Sequence, residues 1–345
     1  MKELKLALLG FGNAGRAFGQ MFHHKHEEIK KIYDTDVKIV AIATNSRGNI
    51  LDENGIDIKA ALADIENKGH FSQERGITEL STMEIVKSAP YDVLIEMTPL
   101  NIFTGQPATS HIEMAFSRGK HVITANKGPV AWHYRKLRDM AKEKGVCFFY
   151  ETTVMDGTPV FNLVEHTLKM ARVTEVSGIL NSTTNFILEE MAKGTPEEEI
   201  MRMGRKMGFI EADPAMDIEG YDAAAKITAL LNVLMDADIT PDMVDRKGIE
   251  DITMADIEAA DKEGKVIKLV CKGICREDGS VYASVAPEKV EKTDLLASIN
   301  STTSVVSITT DLMKKISVVE HEPEIEQTAY GVFGDLLRVL DATCL

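Results

Sequence analysis

Apolar positions along the first 150 residues alternate between two spacings. Lys5–Leu9 is a short apolar run ending in Gly10, after which Ala14, Phe18, Met21, Phe22, Ile29 and Ile32 recur at helical intervals. Val37–Ala43 is rich in β-branched residues, and Val93–Met97 and Val122–Thr124 are further strand-like runs. His111–Ser117 and Trp132–Lys144 have helical spacing and end at Gly119 and Gly145. Strands alternating with helices predict right-handed βαβ units and a parallel sheet.

The pattern changes after Glu151. Thr195-Pro196-Glu197-Glu198 carries a capping-box signal with proline at the first helical position, Gly208 is a stop, and Thr253-Met-Ala-Asp256 resembles a second start. Val266–Val270, Val281–Val285 and Val305–Thr309 are strand-like and separated by turn residues. A last amphipathic helix is expected at about residues 327–342, returning to the first domain. The expected fold is therefore α/β, with a Rossmann-type doubly wound parallel sheet in residues 1–135 plus 325–345. Residues 136–324 are expected to form a second α+β domain for substrate and dimerisation. No internal repeat or low-complexity tract interrupts this pattern.

A length of 345 residues suits two domains, and a net charge of −15 argues against binding to nucleic acid or an anionic membrane. Four scattered cysteines do not make a disulfide framework, and Cys271 and Cys275 read as small core residues of one strand face. No apolar run approaches the roughly 18 residues of a membrane span, so a cytoplasmic location is expected.

Gly10-Phe-Gly12-Asn13-Ala14-Gly15 lies between the first strand and the first helix, the context a dinucleotide fingerprint requires. Gly10 permits the turn, Gly12 allows a pyrophosphate close to the backbone, and Gly15 lets helix pack on strand. The helix start offers unpaired amides and a positive dipole end. The second strand ends Ala43-Thr44-Asn45-Ser46-Arg47, with no acid to hold a ribose 2′-hydroxyl. Arg47 can instead hold a 2′-phosphate, which favours NADP while leaving NAD open; it also fits an ordinary solvated loop residue. Thr98, just beyond the strand at 93–97, joins the candidate cofactor contacts.

Carboxylates crowd Glu211-Ala-Asp213-Pro-Ala-Met-Asp217-Ile-Glu219, and Asp222 and Lys226 follow four residues apart. On a helix the last two share a face, which suits proton transfer to a substrate oxygen if the lysine is partly withdrawn from water. An isolated pair at this spacing also fits a surface ion pair. Glu211 and Asp217 could alternatively cap a helix, and Asp213 before Pro214 reads as a turn residue.

Together these segments resemble homoserine dehydrogenase, in the short form without a regulatory ACT domain. The likeness covers about residues 4–310 and rests on several ordered motifs. They are the glycine loop, Thr124-Ala-Asn-Lys127-Gly-Pro, Glu151-Thr-Thr-Val154-Met-Asp156-Gly157-Thr158-Pro159, Asn181-Ser-Thr183-Thr-Asn-Phe-Ile187 and the acidic segment. The resemblance implies homoserine and aspartate 4-semialdehyde interconverted by hydride transfer; the Arg47 reading makes NADP the expected nucleotide, and the sheet of the second domain suits a homodimer. It implies Lys226 as proton donor with Asp222 beside it, and Lys127 near nicotinamide and substrate. It also implies Glu211 on the substrate ammonium, Asp217 on its polar end and Thr183 in the substrate loop. A monovalent cation such as sodium is implied at backbone carbonyls of Glu151, Val154, Asp156 and Thr158. The chain departs from the family pattern where a Gly-Ala-Gly loop normally precedes Thr328-Ala329: here Glu320-His-Glu322-Pro-Glu324-Ile-Glu326 stands, and Asp156 and Ser182 replace smaller residues. Oxidation of another small hydroxy or amino acid, or nucleotide binding without catalysis, are the alternatives.

Overall fold

A computed structural model describes residues 1–210 and 213–344 and divides into two compact units, 1–159 with 324–345 and 160–323. The chain leaves the first unit after Pro159 instead of at 136, because residues 137–149 complete a helix and strand of the first sheet.

The first unit begins β1 (Lys2–Leu9), α1 (Asn13–Tyr33), β2 (Thr35–Ala43), β3 (Asn49–Leu51) and α2 (Ile58–Lys68). It continues β4 (Ile77–Thr78), α3 (Thr82–Ser88), β5 (Val93–Glu96), α4 (Ala108–Ser117), β6 (His121–Thr124), α5 (Lys127–Lys144) and β7 (Phe148–Phe149). The sheet order is β4-β3-β2-β1-β5-β6-β7, parallel from β2 through β7. Leu6, Ala7, Leu8 and Leu9 of β1 are all fully buried, the mark of a parallel strand covered on both faces. Leu6 and Leu8 pack with Phe18 and Phe22 of α1, whereas Ala7 and Leu9 pack with Ile85, Ile112 and Phe116. From β1 the chain runs first to β2 and later to β5 on the other side, which opens a crevice beyond the ends of β1 and β5.

The second unit contains α6 (Val160–Thr167), β8 (Val173–Ile179), α7 (Ser182–Ala192), α8 (Glu197–Met207), α9 (Ala215–Ile218) and α10 (Tyr221–Met235). Then come β9 (Asp245–Arg246), α11 (Met254–Lys262), β10 (Lys265–Cys275), β11 (Val281–Glu291), β12 (Ser304–Thr310) and β13 (Lys314–Glu320). Its sheet runs β13-β12-β8-β10-β11-β9. α10 lies so close on β10 that a Cβ at Gly273 would stand 2.2 Å from the Leu231 side chain. Cys271 is buried in this sheet and Cys275 is partly exposed. The chain then returns to the first unit as α12 (Ile325–Cys344), where Ala329, Val332, Leu336, Val339 and Leu340 join the α1 side of the core.

Two local expectations change. The helix expected from Trp132 starts at Lys127, because Asn126 caps it through the Gly128 amide. Thr195 makes no cap: Pro196 occupies the N-cap of α8 and the Thr195 hydroxyl donates to Glu190. Gly220, at φ +80°, stands between α9 and α10, and Asp222 and Lys226 share the first turns of α10. By contrast, Thr253 and Asp256 form the complete capping box of α11. Among the described residues no helix is long and apolar enough to cross a membrane.

Candidate active site

The crevice of the first unit is a cleft of about 370 Å³, lined by residues 10–15, 43–47 and 97–99 together with Thr82. Its glycines divide the work as their positions require. Gly10 turns at φ +95°, and a Cβ there would stand 2.3 Å from the Met97 carbonyl oxygen. A Cβ on Gly15 would come within 2.6 Å of the Gly10 carbonyl oxygen, whereas one on Gly12 would meet nothing within 4 Å. Two glycines therefore permit close packing and the third leaves backbone open to a ligand. Asn13 and Ala14 open α1 at this point, where the helix presents its dipole end.

The other wall is a self-braced loop. Thr44 accepts from the Arg47 amide at 3.0 Å and donates to the Gly48 carbonyl at 2.8 Å. Asn49 accepts from the Thr44 amide at 2.7 Å, and the Phe71 amide donates to the Arg47 carbonyl at 3.0 Å. No carboxylate is among the described residues lining the cleft.

Behind Thr98 lies a group that the sequence reading missed. Glu96 ends β5, is wholly buried, and accepts from the Thr98 amide at 2.9 Å, from the Thr98 hydroxyl, and from the Thr124 hydroxyl at 3.1 Å. Burial pushes its carboxyl up to about 7, against the pull of those donors. Asn126 donates to the Thr98 carbonyl at 3.2 Å and, through its amide, to the Thr124 hydroxyl at 3.0 Å. The next residue is Lys127, first in α5.

The second unit holds the acid–lysine cluster. Lys226 Nζ lies 3.0 Å from the Asp222 carboxylate and donates to the Leu180 carbonyl at 2.7 Å. Both side chains are mostly withdrawn from water, 19% and 14% exposed, which separates them from an ordinary solvated pair. Asn181 caps α7 and donates both to Asp217 at 2.6 Å and to Asp222 at 2.9 Å. Burial and then the neighbouring Asp222 charge raise the Asp217 carboxyl above its ordinary value. Thr183 is buried beside this cluster and bonds the Phe209 carbonyl at 3.4 Å. The Asn181-Ser-Thr motif and the acidic segment, far apart in sequence, thus meet through Asn181. Glu211 lies outside the described residues.

Residues 151–158 form a tight loop in the first unit. The Glu151 amide donates to Asp335 at 2.9 Å, Thr328 donates to Asp156 at 2.5 Å, and the Thr158 amide closes onto the Met155 carbonyl at 2.8 Å. Val154 is buried within it, and Asp156 adopts φ +43°. Asp335, a buried residue of α12, is pushed up to about 7 by desolvation. No group of three or more His, Cys, Asp or Glu side chains arranged for a metal occurs among the described residues.

A doubly wound sheet with a glycine-lined cleft at its switch point, joined to a unit bearing a withdrawn lysine–carboxylate pair, defines an NAD(P)-dependent oxidoreductase. Comparison with known proteins narrows the class. Residues 10–151 match the family model described as homoserine dehydrogenase, NAD binding domain, and residues 159–337 match homoserine dehydrogenase. The chain is 36% identical over 98% of its length to an NAD(+)-dependent homoserine dehydrogenase of Pseudomonas canavaninivorans, of which it covers 97%. It is 37% identical to a homoserine dehydrogenase of Methanocaldococcus jannaschii, with 99% of each chain covered. A crystal structure of a homoserine dehydrogenase from Thiobacillus denitrificans superposes with a TM-score of 0.83 at 27% identity, covering 100% of this chain and 75% of that one. The chain belongs to the homoserine dehydrogenase family.

Proposed function

We propose that the protein interconverts L-homoserine and L-aspartate 4-semialdehyde, with NADP as the preferred nucleotide. The observation that carries the chemistry is Lys226 Nζ, held between the Leu180 carbonyl and the Asp222 carboxylate. The nicotinamide, when bound, gives or takes the hydride. Lys226 supplies the matching proton: as ammonium it donates to the aldehyde oxygen, and as amine it accepts from the hydroxyl. The nearby positive charge also stabilises negative charge growing on that oxygen. Asp222 and Asn181 fix where Nζ stands, so the proton is delivered along one direction. By the family resemblance Asp217 is assigned to the polar end of the amino acid, Thr183 to the substrate loop and Glu211 to the ammonium group.

The residues present fit a dinucleotide. The Gly12 backbone opens onto the cleft, the α1 start offers its amides, and Thr98 and Pro99 line it. Arg47 and the absence of an acid from the lining favour the 2′-phosphate. NAD is the second reading, favoured by the name of the Pseudomonas canavaninivorans relative.

The test is Lys226→Ala assayed with homoserine and with aspartate 4-semialdehyde. Loss of a proton donor of this kind costs on the order of 10²–10⁴-fold in kcat, with nucleotide affinity retained. Full activity in the variant would remove Lys226 from the chemistry. Turnover of other short hydroxy acids in place of homoserine would redirect the substrate assignment.

A further inference from the structure

Glu96 presents a physical problem that its neighbours resolve. A carboxylate buried at the end of a central parallel strand carries a large desolvation cost, yet an apolar residue would fill the same place without it. What the carboxylate adds is a set of directed acceptors. One oxygen takes both the amide and hydroxyl of Thr98, and the other takes the hydroxyl of Thr124, its cross-strand partner. Asn126 closes the circle, donating to the Thr98 carbonyl and to the Thr124 hydroxyl while accepting from the Gly128 amide. The result is a four-residue ring tying together the segments that leave β5 and β6. One of them, Thr98-Pro99, lines the cleft, and the other leads into Lys127 at the first position of α5.

We infer that Glu96 is a positioning residue: through Thr98 and Asn126 it sets the inner wall of the nucleotide cleft and the place from which Lys127 projects. In this role the carboxylate acts through Thr98 and Asn126. Loosening the ring lets the two strand exits move independently, so the nicotinamide end of the cleft loses its shape although both strands remain paired. The inference rests on the cleft being the nucleotide site. Gly12→Leu separates that premise from the inference, because it places a side chain in the open space above the loop. Unchanged nucleotide affinity in Gly12→Leu would break the premise, whereas lost affinity there with indifferent Glu96 variants would break the inference alone.

The experiment is a steady-state comparison of Glu96→Ala, Glu96→Gln, Asn126→Ala and the Glu96→Ala/Asn126→Ala double variant, varying nucleotide at saturating homoserine. Glu96→Ala is expected to lower kcat/KM for nucleotide by about tenfold or more, mainly through KM. Glu96→Gln should recover to within about threefold, because its amide oxygen can still accept from Thr98 and its NH2 can donate to Thr124. Members of one hydrogen-bond ring act as a unit, so the double variant should lose much less than the product of the two single losses. Multiplicative losses, or a lower Tm with kcat/KM unchanged, would overturn the inference, as would Glu96→Gln behaving like Glu96→Ala. Should Glu96→Ala fail to fold, Thr124→Val and Glu96→Gln decide. Thr124→Val breaks the ring without removing the carboxylate and should weaken nucleotide binding by fluorescence titration; unchanged binding there would overturn the inference.

Discussion

At the scale of single residues, what the sequence revealed depended on how local the physical requirement was. Gly10, Gly12 and Gly15 sit within one strand-to-helix turn, where a Cβ on Gly10 or Gly15 would strike a carbonyl and Gly12 leaves the backbone open, so three letters announce them. Glu96 was hidden because a single acid closing an apolar run reads as the place where a strand meets water, and its partners Thr124 and Asn126 come about 30 residues later. Asp222 and Lys226 were legible as a pair, but their withdrawal from solvent depends on Leu180 and Asn181, which no helical spacing connects to them. Arg47 belongs at this scale. Its amide and carbonyl are fixed by Thr44 and Phe71, which holds its backbone at the cleft edge. Arg47→Ala is predicted to raise Kd for NADP by about 10–100-fold, equivalent to about 1.4–2.8 kcal/mol for a charge-assisted phosphate contact. NAD binding should change little. Equal losses for the two nucleotides in parallel titrations would remove the 2′-phosphate from Arg47.

Elements were legible where an apolar period and a cap agreed. Thr253 and Asp256 start α11 as written, since both partners lie within one turn. Thr195 fails because Glu190, at the end of the preceding helix, competes for its hydroxyl. The first turn of α5 escaped notice because Lys127-Gly-Pro reads as a turn, while the Asn126 cap and Pro129 suit a helix start. β10 shows how an apolar strand can conceal a charge. Lys268 is buried there, donating to Asn185 at 2.9 Å, to the Ile299 carbonyl at 2.5 Å and to Asn300 at 3.3 Å. Burial lowers its ammonium from 10.5 to about 8. Between those values the unfolded chain holds the proton that the folded one has released, so this lysine makes stability rise with pH across that window. Relative to Lys268→Met, the wild-type protein should gain roughly 1–3 kcal/mol from pH 7 to pH 10.5 in urea titrations. A difference that stays constant, or shrinks, over that range would show that Lys268 is not perturbed as its burial implies.

For the molecule as a whole, the alternation of strands and helices was enough to announce a doubly wound sheet and a second, mixed unit. The crossing point was placed too early because nothing in residues 136–149 distinguishes a last βα repeat from the start of a new domain. We propose that the protein is a homodimer formed through the sheet of its second unit. In the second unit, β13 is an edge strand whose Ile316, Val318 and Val319 are only partly covered, a surface that a second copy can bury. Sedimentation equilibrium should give about twice the 38.0 kDa chain mass, and a single-chain mass across micromolar concentrations would exclude the dimer.

The return of α12 to the first unit also orders events at the ribosome. Residues 160–323 are contiguous and can complete their own contacts as soon as they emerge. The nucleotide-binding unit cannot, because Ala329, Val332, Leu336, Val339 and Leu340 belong to its core and are translated after residues 160–323. Until they arrive, the α1 side of its sheet is left apolar and open, a surface on which a chaperone can act during the time needed to translate the intervening unit.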